Sequence, residues 1–189
     1  MSQHPKNPRR ARLTAGAVVG GLAIAGAVTF GAVSATASPS SAQAAPVKAD
    51  AGDRNLVTAR HLSVDAASKS ARAALDAAEK EGQKVSVAVV DRQGNTLVTL
   101  RGDGAGPQSY ESAVKKGYTA VSWNAPTSDL VERLEKTPNL KDIPGTLFLA
   151  GGAPIQAKGA PVAGVGVAGA PSGDLDEKFA RAGVEALDK

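Results

Sequence analysis

The chain has 189 residues, with 22 Lys and Arg against 18 Asp and Glu, a formal charge of +4, no Cys and one Met. The absence of Cys excludes disulfides, zinc–thiolate sites, iron–sulfur clusters, covalent haem attachment and thiol catalysis. Lys6, Arg9, Arg10 and Arg12 are the only charged residues in 1–37, and without them bases and acids balance; the charge therefore gives no ground for a nucleic-acid partner.

Residues 1–44 have the zones of an export signal. A basic stretch precedes an uncharged Ala/Gly/Val/Leu run from Leu13 to about Val33. Small residues follow, and the triplets ending at Ala37 and Ala44 both fit a cleavage site. An uncleaved anchor is the alternative. The Arg9–Arg10 pair suggests the twin-arginine route, which exports folded cargo. The protein is thus expected outside the cell, free or held at the cell wall. Residues 45–58 read as a flexible lead-in and 59–189 as one domain.

Within that domain, residues 63–81 are rich in helix formers, with Ser63 placed to cap and Gly82 to stop the helix. Val85–Val90 and Asn95–Leu100 read as a hairpin about the turn Asp91–Gly94. Helices are expected at about 109–123 and 128–136, strands at 146–150, 153–157 and 161–168, and a last helix from about Asp174 to Leu187. The order α-β-β-α-α-β-β-β-α predicts an α+β domain: a five-stranded antiparallel sheet flanked by helices.

Gly164–Gly169 matches G-x-G-x-x-G, but these glycines lie within an alternating strand pattern. A dinucleotide site needs them at a strand-to-helix turn. The small face of that strand, Gly164, Gly166 and Ala168, instead lets a helix approach closely. His61 has no local partner for a catalytic triad. Asp76 and Glu79, three apart on one helix face, and Glu81 beyond them form either a hard-cation (ferric iron) site or a solvated acidic helix end. On the helix 109–124, at 100° per residue, Ser112, Lys116, Thr119 and Trp123 are assigned to one face. Tyr110, Val114, Gly117, Tyr118 and Val121 are assigned to the other.

Four blocks carry a resemblance. They are Val85–Gly94; Ser109-Tyr-Glu-Ser-Ala-Val-Lys-Lys-Gly-Tyr-Thr-Ala120; Pro144-Gly-Thr-Leu-Phe-Leu-Ala-Gly-Gly-Ala-Pro154; and Gly164–Asp174. Together they resemble the GlcG/HbpS-type haem-binding family over about 58–189, and the export segment is similar to that of its secreted actinobacterial branch. The resemblance implies an antiparallel sheet in profilin-like α/β/α layers and a homo-oligomer, an octamer. It also implies non-covalent haem b and a sensor histidine kinase ectodomain as partner in haem, iron and redox sensing. Slow haem degradation or weak peroxide scavenging is the enzymatic alternative, and an extracellular oligomer binding free iron the other. The chain lacks the distal His and Arg that peroxidases use.

The family motif K-A-x-T-A stands here as Lys116-Gly117-Tyr118-Thr119-Ala120. The resemblance implies Thr119 as an unusual oxygen ligand to iron, with Lys116 pairing a haem propionate. Tyr118, Tyr110 and His61 are the alternative ligands. The Ala→Gly departure at Gly117 weakens the helix by about 1 kcal/mol and is expected to open space beside Thr119.

Overall fold

A computed structural model describes residues 50–188; the export segment, its cleavage triplets and the start of the lead-in lie outside them. The order is α1 (Val64–Lys80), β1 (Ser86–Asp91), β2 (Thr96–Arg101), α2 (Pro107–Trp123), α3 (Thr127–Arg133), β3 (Gly152–Ala157), β4 (Ala160–Ala168) and α4 (Gly173–Glu185). Among the described residues no helix is long and apolar enough to cross a membrane. The strands form one antiparallel sheet in the order β2-β1-β4-β3.

The central strand β1 is buried along its whole length, because helices cover both faces of the sheet. Val87 and Val89 of β1 and Val165 and Val167 of β4 join Ala67, Ala71, Ala74 and Phe179 in the main core, beneath α1 and α4. Ala88 and Ala168 point to the opposite face and meet Ala113 of α2. This is an α/β/α stack. The helix that approaches the glycine face of β4 is α2. A Cβ on Gly166 would run into the Ala113 carbonyl, and one on Gly164 into the Gly117 carbonyl.

The fifth strand, expected over 146–150, does not form. The Thr146 N–H bonds back to the Ile143 carbonyl and the Leu149 N–H to the Leu147 carbonyl, while the Leu147 N–H goes to the Thr119 hydroxyl at 2.8 Å. With its amides spent locally and on a side chain, the segment has no ladder to offer. Phe148 packs edge-on against Trp123, ring centroids 5.1 Å apart, so apolar residues read as strand are used as a clamp on α2.

The two-face assignment of α2 also needs correction. Its buried residues are Ser109, Ala113, Lys116, Gly117, Thr119, Ala120 and Val121. Lys116 and Gly117 therefore sit in one wide stripe, as neighbours 100° apart can. The sheet covers the Gly117 side and the loop 143–149 covers Thr119. The room at Gly117 is filled by β4: an added Cβ would lie 3.1 Å from the Gly164 carbonyl oxygen and 3.1 Å from the Gly166 nitrogen.

Candidate haem site

Helix α2 places the residues expected to hold haem. It starts at Pro107, suited to the first turn because it has no N–H to satisfy. It ends at Asn124, in the left-handed conformation at φ 51°.

Thr119 is fully buried. Its hydroxyl donates to the Lys115 carbonyl at 2.8 Å and accepts the Leu147 N–H at 2.8 Å. A hydroxyl has one proton and two lone pairs, so one lone pair is unspent, but the loop lies over it. Thr119 thus latches the 143–149 loop onto the helix.

Lys116 is 2% exposed. Its ammonium donates to Asp176 Oδ2 at 2.8 Å, and Asp176 Oδ1 accepts the Ala170 N–H at 3.0 Å. Burial pushes the Asp176 carboxyl above its ordinary value, against the opposing pull of Lys116 and the loop amides of Ala170 and Gly169. The sequence reading did not single out Asp176. Acids in the first turn of a helix are ordinarily read as complements to its dipole, and nothing local marks this one as buried.

A cleft of about 380 Å³ runs beside Lys116 and Asp176, lined by them, by Ser109, Ser112 and Leu149 and by residues 169–173; Thr119, one turn on, does not line it. Leu149 is 51% exposed at its edge. The Ser109 hydroxyl is 2.8 Å from that of Ser86 and donates to the Gly106 carbonyl. The volume is in the range of small-molecule pockets, roughly 300–1,000 Å³. Oxygen donors and one cation make a set that suits a weakly held haem better than a strongly ligated one.

The remaining expected residues are dispersed. Tyr110 is half exposed on the first turn of α2. The Tyr118 ring rests beside Gly94 and Gly145. His61 is exposed and lines a different cleft with Ile155, Val184 and Leu187, on the α4 side of the sheet; the structure does not bring it to Lys116 and Thr119. His61 acts electrostatically on Asp91. Burial would raise the Asp91 carboxyl, but bonds from Asn95 and Gln93, with the charge of His61, leave it below its ordinary value. At the end of α1, Asp76 pairs loosely with Arg72 at 3.9 Å and Glu81 with Lys178 at 2.6 Å, and Glu79 is exposed. Among the described residues no three acidic or imidazole groups gather as a metal site.

A second buried carboxylate escaped the sequence reading. Glu177 accepts both the N–H and the hydroxyl of Ser128, at 2.9 and 2.7 Å, and pairs with Arg181 at 2.7 Å. It thereby caps α3, which has no side-chain cap of its own. Burial acts to raise its pKa, but Arg181 and Ser128 outweigh it and hold the carboxyl below its ordinary value.

Comparison with known proteins agrees with this architecture. A crystal structure of a glutamate-to-aspartate double mutant of Streptomyces reticuli HbpS is 71% identical over 76% of this chain and 97% of its own, with a TM-score of 0.72. A second HbpS structure is 71% identical over 75% of this chain and 99% of its own, with a TM-score of 0.71. A PduOC structure in complex with haem is 26% identical over 67% of this chain and 95% of its own, with a TM-score of 0.62. No curated protein sequence matches significantly. The family model described as haem degrading protein HbpS-like matches residues 62–185, and with well over half of its length matched the chain belongs to that family.

Proposed function

We propose that this protein is exported, binds haem b non-covalently and acts, as a homo-oligomer (an octamer), as an accessory sensor of haem, iron and redox stress for a membrane sensor kinase. The observation that carries the reading is the cleft along α2, where oxygen donors and a buried cation meet. Its support is the 71% identity to HbpS and a relative solved with haem bound. Bound haem supplies an iron that takes axial ligands and two propionates that need cations or N–H donors.

This chain's contributions follow from its contacts. Lys116 has N–H donors beyond the one given to Asp176, because an ammonium carries three. Thr119 offers its remaining lone pair once the Leu147 N–H lets go. Binding at Thr119 would then free the 143–149 loop, with Ile143 and Leu149 exposed on it. That gives a kinase ectodomain a surface that differs between the two states.

Titration of the signal-free protein with hemin checks this: a saturable Soret band is expected, shifted in Thr119→Ala, and no band overturns it. The family description favours a second reading, slow haem degradation. Stoichiometric product over repeated turnovers would move the assignment to an enzyme.

A further inference from the structure

Three segments distant in sequence each bring one cation to a single cleft of about 580 Å³. Arg60 comes from the stretch just ahead of α1, Arg92 from the β1–β2 turn and Lys158 from the tip of the β3–β4 hairpin. All three are exposed. None joins an ion pair found among the described residues, and no acid lines the cleft. Asp91, the sequence neighbour of Arg92, is 7% exposed, with its carboxylate bonded to Gln93 and Asn95. Beyond the basic front segment the chain's bases and acids balance, so three cations around one acid-free cleft stand out from their background.

Lys158 makes the placement sharper. With Gly159 it forms the two-residue turn between paired Ala157 and Ala160, and both turn residues are left-handed, at φ 54° and 80°. Asn, Asp or Gly is the usual first residue of such a turn. A Lys there bears a conformational cost and carries its ammonium to the cleft. The Arg92 N–H bonds to the Val162 carbonyl and ties the two hairpins together at this point. Apolar Ala157, Val162 and Val57, the last 94% exposed, line the rest of the cleft together with the polar Thr58 and Gln93.

We propose that this cleft binds an amphipathic carboxylate, its apolar body against Val57, Ala157 and Val162 and its acidic groups on Arg60, Arg92 and Lys158. Guanidinium groups bind carboxylates through paired N–H donors. None of these residues belongs to α2 or to the 169–173 loop, so the site does not depend on Thr119.

The probe is metal-free protoporphyrin IX, an apolar macrocycle with two carboxylates and no iron to ligate, titrated by fluorescence into the purified protein. Saturable binding is expected, weakened by added salt and at least tenfold weaker in Arg60→Gln/Arg92→Gln/Lys158→Asn. Asn suits the left-handed turn, and an unchanged circular dichroism spectrum establishes that the variant folds. Lys84→Gln/Lys141→Gln, two exposed cations elsewhere, and Thr119→Ala should each leave the affinity unchanged. No saturable binding, equal affinity in the triple variant, or an equal loss in the Lys84/Lys141 variant would overturn the proposal. A shifted hemin spectrum in Thr119→Ala with protoporphyrin binding intact separates the two sites.

Discussion

The Lys116 ammonium on α2 and the Asp176 carboxylate on α4 lie 2.8 Å apart, with side chains 2% and 5% exposed. The two helices pack on opposite faces of the sheet, so the pair joins the layers around its end, beside Gly151. Removing one partner of a buried pair leaves an uncompensated charge and costs about 3–5 kcal/mol. Urea unfolding should show that loss for Lys116→Met and for Asp176→Leu. Lys116→Met/Asp176→Leu should lose clearly less than the two single losses combined, because no charge is left behind. Additive losses would mean that the two groups do not act as a pair.

Glu177 makes the fold acid-sensitive. Its folded pKa is below the ordinary 4.5, so its stabilising contribution is fully present above that value. The contribution is lost as pH falls through the lowered folded value. Asp91 acts in the same direction; Asp176, shifted upward, acts against it. Glu177→Gln should therefore be less stable than the parent at neutral pH, and the difference should shrink as pH falls below 4.5 and through the lowered folded value. Melting temperatures at a series of pH values test it, and a difference independent of pH would contradict it. The affected element should be α3, whose Ser128 N–H and hydroxyl, in its first turn, Glu177 accepts.

The glycine face of β4 sets how close α2 lies. Gly166→Ala would push a methyl group into the Ala113 carbonyl, which is backbone and cannot swing aside. Overpacking of this kind costs about 1–3 kcal/mol. Gly117→Ala meets gentler contacts of 3.1 to 3.3 Å, and about 1 kcal/mol of helix propensity offsets them. Chemical denaturation should rank Gly166→Ala well below the parent and Gly117→Ala near it. Equal losses would show that the helix-to-sheet distance is not what these glycines hold.

These examples show where sequence reasoning reached and where it stopped. Helix α1 was legible because Ser63 caps it, accepting the Ala66 N–H, and its helix formers run on without interruption. The β4 glycines were legible as a docking face because their alternation is local. The segment 146–150 misled because Leu147, Phe148 and Leu149 have strand-like composition; their fate was decided by Thr119 and Trp123, more than twenty residues away. Asp176 and Glu177 were illegible for the same reason: their partners, Lys116 and Ser128, lie 60 and 49 residues back. A single sequence carries no local mark of such pairings.

The Thr119 hydroxyl is the acceptor for the Leu147 N–H, and this separates its structural role from any role toward iron. Thr119→Val keeps the shape and removes the acceptor, leaving a part-buried N–H unpaired at a cost of about 1–3 kcal/mol. Hydrogen exchange at the Leu147 amide should quicken in that variant, while Thr119→Ser, which retains the oxygen, should preserve protection. The hemin spectrum then discriminates. If oxygen ligates the iron, Ser keeps the parent Soret position and Val shifts it. If Val and Ser give the same spectrum while only Val loses protection at Leu147, Thr119 is a latch for the 143–149 loop and the iron is held elsewhere.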